Sequence, residues 1–544
     1  MSHPSVSETK AATPTAPSKG ATQKLPLRSF LGYAAGDAGN NLAFNMVSTF
    51  LLLYYTDVVG IPAGYAAPIF LIVRIWDGIG DIVVGRWVDK TVSRWGKFRP
   101  WILWSCLPLM LTSVWVFSLP EADSLTMKLF WAYLSYGIMM MFYSMVNIPY
   151  GSLASAMTQA PVERAKLATF RTIGSQVAVM LIAVVVAPLV QRFSAANLYQ
   201  DKVSALGGED NSTDAQLSAA KAAAAHDATT GLQGSLTTIT LIFVVLGVAL
   251  YVFTFLTAKE RVVRPPEDQV SLKQAVVVLA KNKALIWLSI GSIIVLTSHV
   301  SLQTMGIYFA RDVMGNAGLF SILTIIQTAS IFVAAPFIGR AVARYGKRFV
   351  YLSGAVAFML GGILVFLCPP SMPWLACVAF FFLGLGIGLL NTLMWAMEAD
   401  TVEYGEWKTG RRTEGTTYAV FSFVRKLGQA FGGAAAAGLI GLTGYVGGAA
   451  VQSDHAVLGI RLTAGILPAV LCLIAFFVML RYPLTDTLFN RIVEENETRK
   501  QIKLAMSHGR AIVPPDTDTP RGAQSGTHND GEPVPETTSQ QTEK

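Results

Sequence analysis

At 544 residues the chain is 52% hydrophobic and only 14% charged, with a mean hydropathy of +0.47; this is too apolar for a soluble protein of its size and marks an integral membrane protein. A net charge of +8 would suit a nucleic-acid partner, but the Lys and Arg residues fall in short segments between apolar runs, so membrane topology accounts for them and nucleic acid does not. Cys106, Cys368, Cys377 and Cys472 lie in or beside apolar segments without ligand spacing, which argues against a zinc site and a disulfide framework.

Residues 1–26 are rich in Ser, Thr, Ala, Pro and Lys, lack the apolar core of a signal peptide, and read as a disordered cytoplasmic tail. From Phe30 onward, apolar runs recur that are long enough to cross a ~30 Å hydrocarbon layer as helices. About twelve are expected, at 30–57, 63–88, 101–119, 128–157, 166–192, 234–257, 284–310, 317–343, 348–368, 373–397, 415–444 and 459–482. The fold class is therefore an all-α integral membrane protein. Basic residues cluster after the even-numbered spans, among them Lys90, Arg94, Lys97, Arg99, Arg164, Lys166, Arg264, Lys273, Arg344, Lys347, Arg411 and Arg412, which places both termini in the cytoplasm. An Ala-rich polar insert at about 193–233 is external by the same rule. The tail at 484–544 begins as an amphipathic helix and becomes rich in Pro, Thr, Gln and Asp, as disordered segments are.

The second expected helix carries an anomaly, Arg74-Ile75-Trp76-Asp77-Gly78-Ile79-Gly80-Asp81. Spacings of three and four put Arg74, Asp77 and Asp81 on one helical face. A charge at the bilayer centre costs roughly 2.5–3.5 kcal/mol, so such a face turns toward a bundle interior or wet cavity and marks an ion or substrate path. Two carboxylates about 5–6 Å apart on one face resist double ionisation unless a cation lies between them. A proton or Na⁺ meets that demand. No Ser/His/Asp set, metal motif or phosphate loop accompanies these charges, so the chain is not read as an enzyme and no cofactor is expected.

An internal echo divides the chain. Arg94-Trp95-Gly96-Lys97 and Arg344-Tyr345-Gly346-Lys347 each follow the second helix of a half. Two pseudo-symmetric six-helix bundles, 27–258 and 284–483, joined by a basic cytoplasmic loop at 259–283, form the layout of major facilitator transporters, which bind substrate near the midplane and rock around it. Gly85, Asp89, Arg94, Gly96, Lys97 and Arg99 resemble that superfamily's cytoplasmic signature. Asp89 can pair with Arg94 or Lys97 in one conformation and part from them in another, as a gate requires. The acidic run Glu398–Glu406, with Asp400, Glu403 and Glu406, reads as gating salt bridges or a solvated loop at the cytoplasmic end of the tenth helix.

A narrower resemblance rests on Tyr54-Tyr55-Thr56-Asp57, Arg74-Ile75-Trp76-Asp77 with Asp81, Arg94-Trp95-Gly96-Lys97-Phe98-Arg99-Pro100-Trp101, and Glu398-Ala399-Asp400-Thr401-Val402-Glu403-Tyr404-Gly405-Glu406. These look like the glycoside-pentoside-hexuronide:cation symporter family across roughly residues 28–490. The texture is most similar to bacterial glucuronide carriers through Gly36-Asp37-Ala38-Gly39-Asn40-Asn41, Val146-Asn147-Ile148-Pro149-Tyr150-Gly151 and Phe421-Ser422-Phe423-Val424-Arg425-Lys426.

The resemblance implies that Asp77 and Asp81 hold the coupling cation, with Ser144 and Lys426 nearby. Melibiose carriers place an asparagine and a threonine where this chain has Gly80 and Ser144; losing the amide oxygen weakens a Na⁺ cage and favours H⁺. Two positions acidic in those carriers are Asn41 and Asn147 here, which lowers repulsion against an anionic ligand while keeping hydroxyl-binding amides. With Tyr150 and the basic positions Arg171 and Lys426, the expected site suits a uronate. The expectation is thus a monomeric, cation-coupled importer of a glycoside, foremost a glucuronide, in a bacterial inner membrane. A neutral pentoside or hexoside carrier, possibly Na⁺-coupled, is the near alternative; a lipid transporter of the same fold and an intramembrane enzyme are distant ones.

Overall fold

The computed structural model describes residues 24–158, 160–261, 280–410 and 414–507. The expected tail through residue 23, the basic loop residues 262–279 with Arg264 and Lys273, the pair Arg411 and Arg412, and the tail beyond 507 lie outside the described residues.

Among the described residues the regular structure is helical, without strands. In chain order the first half contains α1 (Leu27–Leu53), α2 (Ala63–Asp89), α3 (Arg99–Val116), α4 (Leu125–Met157), α5 (Pro161–Arg192), α6 (Ala195–Ala205) and α7 (Asp214–Thr257). The second contains α8 (Lys283–Tyr308), α9 (Leu319–Tyr345), α10 (Lys347–Leu367), α11 (Pro373–Thr409), α12 (Glu414–Leu442), α13 (Asp454–Arg461) and α14 (Leu467–Leu480), followed by α15 (Asp486–Ser507). Eight helical segments among the described residues are long and apolar enough to cross a membrane, so this is a multi-pass membrane protein. The other four helices at the expected spans, α1, α2, α3 and α12, are more polar; three of them carry the interior charges of the site.

Two elements extend past their expected limits. Thr213 and Gln216 form a capping box that starts α7 inside the Ala-rich insert at about 193–233, and the helix then runs without a break for 44 residues. Likewise α11 continues through the acidic run to Thr409, so Glu398 and Asp400 are buried helical residues and the solvated-loop reading of that run is corrected.

The first helix of each half ends in the same way. Tyr54–Val58 and Phe309–Val313 are π-helical turns, with the amides of Val59 and Met314 bonding back to Tyr54 and Phe309, each at 3.0 Å. Gly60 and Gly315 follow, both at φ +71°, a left-handed conformation that glycine adopts without a Cβ penalty. Tyr54-Tyr55-Thr56-Asp57-Val58-Val59-Gly60 and Phe309-Ala310-Arg311-Asp312-Val313-Met314-Gly315 are therefore a sequence echo with a shared geometry, in which Asp57 and Asp312 occupy equivalent places and Arg311 stands where the first half has Thr56.

Residues up to Val493 form one compact unit, and those from Glu494 a second. Within the first unit the halves meet through α2 against α12, α5 against α9 and α1 against α8. Glycines permit the close approach: a Cβ at Gly432 would stand 2.8 Å from the Thr297 carbonyl on α8, and one at Gly433 would stand 3.3 Å from Phe70 on α2. Helix α12 is thus wedged between α2 and α8, with Lys426 facing the first half.

Candidate functional site

On α2, Asp77 is fully buried and Asp81 is one turn away. Ser144, presented by α4, lies between them and donates to Asp77 Oδ1 or Asp81 Oδ1, each at 2.8 Å. From the opposite half, Lys426 on α12 places Nζ 3.0 Å from Asp77 Oδ2 and against Asp81 Oδ2. Arg74 completes the group at 3.8 Å from Asp77 Oδ2, held over the Phe44 ring at 4.5 Å. The residues expected to couple the cation are therefore brought together. Their contacts with Lys426 are ionic without being aligned as hydrogen bonds, and Asp77 Oδ2 and Lys426 Nζ are buried polar atoms with no hydrogen-bond partner. Gly80 contributes no oxygen; a Cβ there would stand 3.7 Å from Ser144 Oγ.

A polar stripe runs beside this cluster along α1. Asp37, Asn41 and Asn45 recur at every fourth residue and so share a face. Asn41 Nδ2 donates to the Asp37 carbonyl at 2.8 Å and to Asp37 Oδ2 at 3.1 Å. Asn45 Nδ2 donates to Asn41 Oδ1 at 2.6 Å, and Gln303 Nε2 of α8 donates to Asn45 Oδ1 at 2.8 Å. Asn41 is thus engaged by the protein, while Asn147 on α4 is half-buried and makes no hydrogen bond among the described residues.

The expected basic residues of the sugar site prove to be paired. Arg171 on α5 sits 3.0 Å from Asp37 Oδ1, and Lys426 is shared between Asp77 and Asp81. Tyr150 is buried, stacks on Tyr33 with ring centroids 4.7 Å apart, and donates its hydroxyl to the Tyr33 carbonyl at 2.6 Å. It backs the Arg171 guanidinium, 5.4 Å above its ring, so both its hydroxyl and its ring face are engaged by the protein. Gly151, by contrast, opens onto free space.

At the end of the bundle that carries Gly96 and Gly346, the described ion pairs stay within a half. Lys97 Nζ meets Asp89 Oδ1 at 2.6 Å, Arg94 lies over Trp95 at 4.9 Å, and Lys347 Nζ meets Asp400 at 2.7 and 2.6 Å. Glu403 and Glu406 on α11 are likewise engaged. Glu260, which sequence reasoning missed, caps the start of α3 by accepting from the amides of Lys97, Phe98 and Arg99 at 2.9, 2.8 and 3.0 Å.

The opposite end is bridged between halves. Arg311 Nη1 meets Asp57 Oδ1 at 2.9 Å, and its Nε donates to Asp312 at 2.9 Å. Asp57 also accepts from the Tyr445 hydroxyl, 3.1 and 3.0 Å from its two oxygens, and from the Gly448 amide at 3.2 Å. The Thr56 and Tyr308 hydroxyls bond at 3.0 Å. Gly447 packs so closely that a Cβ would stand 1.9 Å from the Thr56 carbonyl. A cavity of about 240 Å³ beside this lock, lined by Phe193, Asp57, Arg311 and Gln452, is separate from the mid-bundle groups. Sequence reasoning missed this end; the echo of Tyr54–Gly60 in Phe309–Gly315 is the signal that could have found it.

Comparison with known proteins supplies the family context. The profile of the MFS/sugar transport protein family matches residues 32–486. A glucuronide carrier protein homolog of Escherichia coli strain K12 is 38% identical over 483 residues, covering 88% of this chain and 98% of that protein. A putative 2,3-dihydroxypropane-1-sulfonate exporter of the same strain is 31% identical over 491 residues, covering 88% of this chain and 98% of its own length. Among solved structures, a bacterial homolog of the human lysosomal transporter Spinster superposes with a TM-score of 0.55 at 14% identity, covering 87% of this chain and 99% of that one.

Proposed function

This chain belongs to the MFS/sugar transport protein family, and from that premise we propose that it is a proton-coupled symporter importing an anionic glycoside, foremost a glucuronide, across a bacterial inner membrane. The observation that carries the proposal is the Asp77, Asp81, Ser144 and Lys426 cluster, because its carboxylates belong to one half and its ammonium to the other. Neutralising a carboxylate by a proton weakens its hold on Lys426, so the charge state of α2 sets how strongly α12 is held against it. Cation binding thereby biases the equilibrium between two arrangements of the halves, which is what coupling requires.

Asp77 Oδ2, buried and without an aligned donor, is the oxygen assigned to the proton. A Na⁺ ion would find the two carboxylates and the Ser144 hydroxyl, with nothing added from position 80. The excess of basic residues at the Gly96 end makes that end cytoplasmic, so the lock around Asp57 and Arg311 faces outward and the described conformation is closed there. An acid-bearing substrate fits both the relatives and the site. The relatives' names specify a glucuronide and a sulfonate, both acid-bearing compounds, and amides stand at Asn41 and Asn147 in place of the carboxylates of related carriers.

The test is alkalinisation of the medium when methyl β-D-glucuronide is added to inside-out-free, energy-depleted cells or proteoliposomes, with and without Na⁺. Alkalinisation independent of Na⁺ is expected; sugar entry that requires Na⁺ and moves no protons overturns proton coupling. Asp77→Asn is expected to abolish uphill accumulation while sparing sugar exchange. If it still concentrates sugar, Asp77 is not the coupling group.

A further inference from the structure

We infer that Arg425 on α12 recognises the acid group of the transported sugar, a carboxylate or a sulfonate. The inference rests on the anionic-glycoside proposal and names the residue responsible. Its basis is a charge inventory of the middle of the bundle. Arg171 is matched by Asp37, and Arg74 with Lys426 is matched by Asp77 with Asp81. Four cations thus face three carboxylates, and the unmatched cation is Arg425. No carboxylate among the described residues lies within ion-pair distance of it.

The side chain is nevertheless held firmly. Its Cζ lies 4.7 Å above the Trp395 ring of α11, and its Nη2 donates to Asn391 Oδ1, one turn before that tryptophan, at 3.1 Å. Nη1 is buried without any hydrogen-bond partner. Tyr418, two turns before Arg425 on the same face of α12, stacks on Trp395 with centroids 5.7 Å apart and an interplanar angle of 24°, and is 51% exposed. Arg425 is therefore positioned by a neutral amide and a ring, neither of which cancels its charge.

Location agrees with this role. Arg425 and Arg171 repel one another from opposite halves, and Tyr418 interacts electrostatically with both. An anion between the halves meets this repulsion as attraction from either side. A planar guanidinium already fixed on one edge offers its remaining N–H groups to two oxygens of one acid group at little further entropic cost. A neutral hexoside gains nothing from it. Because Arg425 is adjacent to Lys426, a substrate held here contacts the same helix that reads the protonation of Asp77.

The test compares full-length protein in proteoliposomes binding methyl β-D-glucuronide, the matching 6-sulfonated glucoside and uncharged methyl β-D-glucoside, which differ only at C6. Wild type is expected to prefer at least one acid sugar; the carboxylate and sulfonate arms decide which. Arg425→Gln is expected to weaken the preferred acid sugar by roughly 10- to 100-fold, the scale of a lost hydrogen-bonded charge contact, while glucoside binding stays within about twofold and so reports intact folding. Arg425→Lys, which keeps the charge and loses the fork, is expected to recover part of the loss; it carries the test if the glutamine variant does not fold. A wild type that binds only the glucoside overturns the anionic-substrate proposal and this assignment together. A wild type that prefers an acid sugar, with variants that retain that preference, overturns the assignment alone.

Discussion

Two ion clusters join the halves of this transporter, and each sets two carboxylates against a cation from the other half or its own turn. At the end that the proposed orientation turns outward, Arg311 is clasped by Asp57 and Asp312, and Asp57 accepts further bonds from Tyr445 and the Gly448 amide. In the middle, Lys426 lies between Asp77 and Asp81, but its contacts are not aligned as hydrogen bonds and Asp77 Oδ2 is left without a donor. A fully satisfied buried network is stable and specific, whereas an incompletely satisfied one is ready to respond to a new partner. The first arrangement suits a lock that holds one conformation; the second suits a site that takes up a cation.

Removing the cation from each cluster is the strongest way to break this contrast. Lys426→Met leaves Asp77 and Asp81 facing one another in the bundle, a loss on the order of 3–5 kcal/mol for an uncompensated buried charge. Accumulation of sugar against its gradient is expected to disappear, read by uptake into energised vesicles. Arg311→Met imposes a similar cost on Asp57 and Asp312, yet it acts on the lock. It is expected to open the outer end, read as faster thiol labelling of a cysteine introduced by Val313→Cys, and to leave proton movement per sugar unchanged. Should Arg311→Met uncouple transport while Lys426→Met does not, the division of labour is reversed.

A smaller, purely steric change sharpens the same point. Gly447→Ala introduces a Cβ that would stand 1.9 Å from the Thr56 carbonyl, so one segment must move. The outer end is expected to open in part, with labelling at position 313 intermediate between the parent and Arg311→Met. Unchanged labelling would mean that the loop carrying Gly447 yields without parting the halves.

The mid-bundle cluster was legible in the sequence because Asp77 and Asp81 are four apart in an apolar run, where charges need a reason, and because the resemblance supplied Ser144 and Lys426. Pairing was less legible than placement. The every-fourth-residue stripe Asp37, Asn41 and Asn45 was present in the sequence, but only folding shows that Asp37 neutralises Arg171 and that Asn41 is bonded along its own helix. Tyr150 is one residue from Gly151, and that rotation about α4 packs it against Tyr33 while Gly151 meets open space. Arg425 passed unnoticed beside Lys426 because its significance lies in a missing carboxylate, and a missing partner is visible only when the neighbours have been placed. The outer lock joins residues more than 250 positions apart, yet its halves echo one another as Tyr54–Gly60 and Phe309–Gly315.

Tyr445→Phe makes the smallest of these changes and tests whether the lock is graded or all-or-none. The hydroxyl bonds to both oxygens of Asp57, but that carboxylate keeps Arg311 and the Gly448 amide, so no buried charge is stranded. The hydroxyl also accepts from Arg311 Nη2, which keeps Asp57 and Asp312, so two charge-assisted hydrogen bonds are lost and partly compensated by the remaining partners, a net loss of about 1 kcal/mol, or roughly fivefold in the opening equilibrium. In the Val313→Cys background, with the native cysteines replaced by serine, labelling is therefore expected to accelerate about fivefold. Acceleration as large as that of Arg311→Met would mean the network fails as a unit once any donor is removed; no change would mean Arg311 alone closes the outer end.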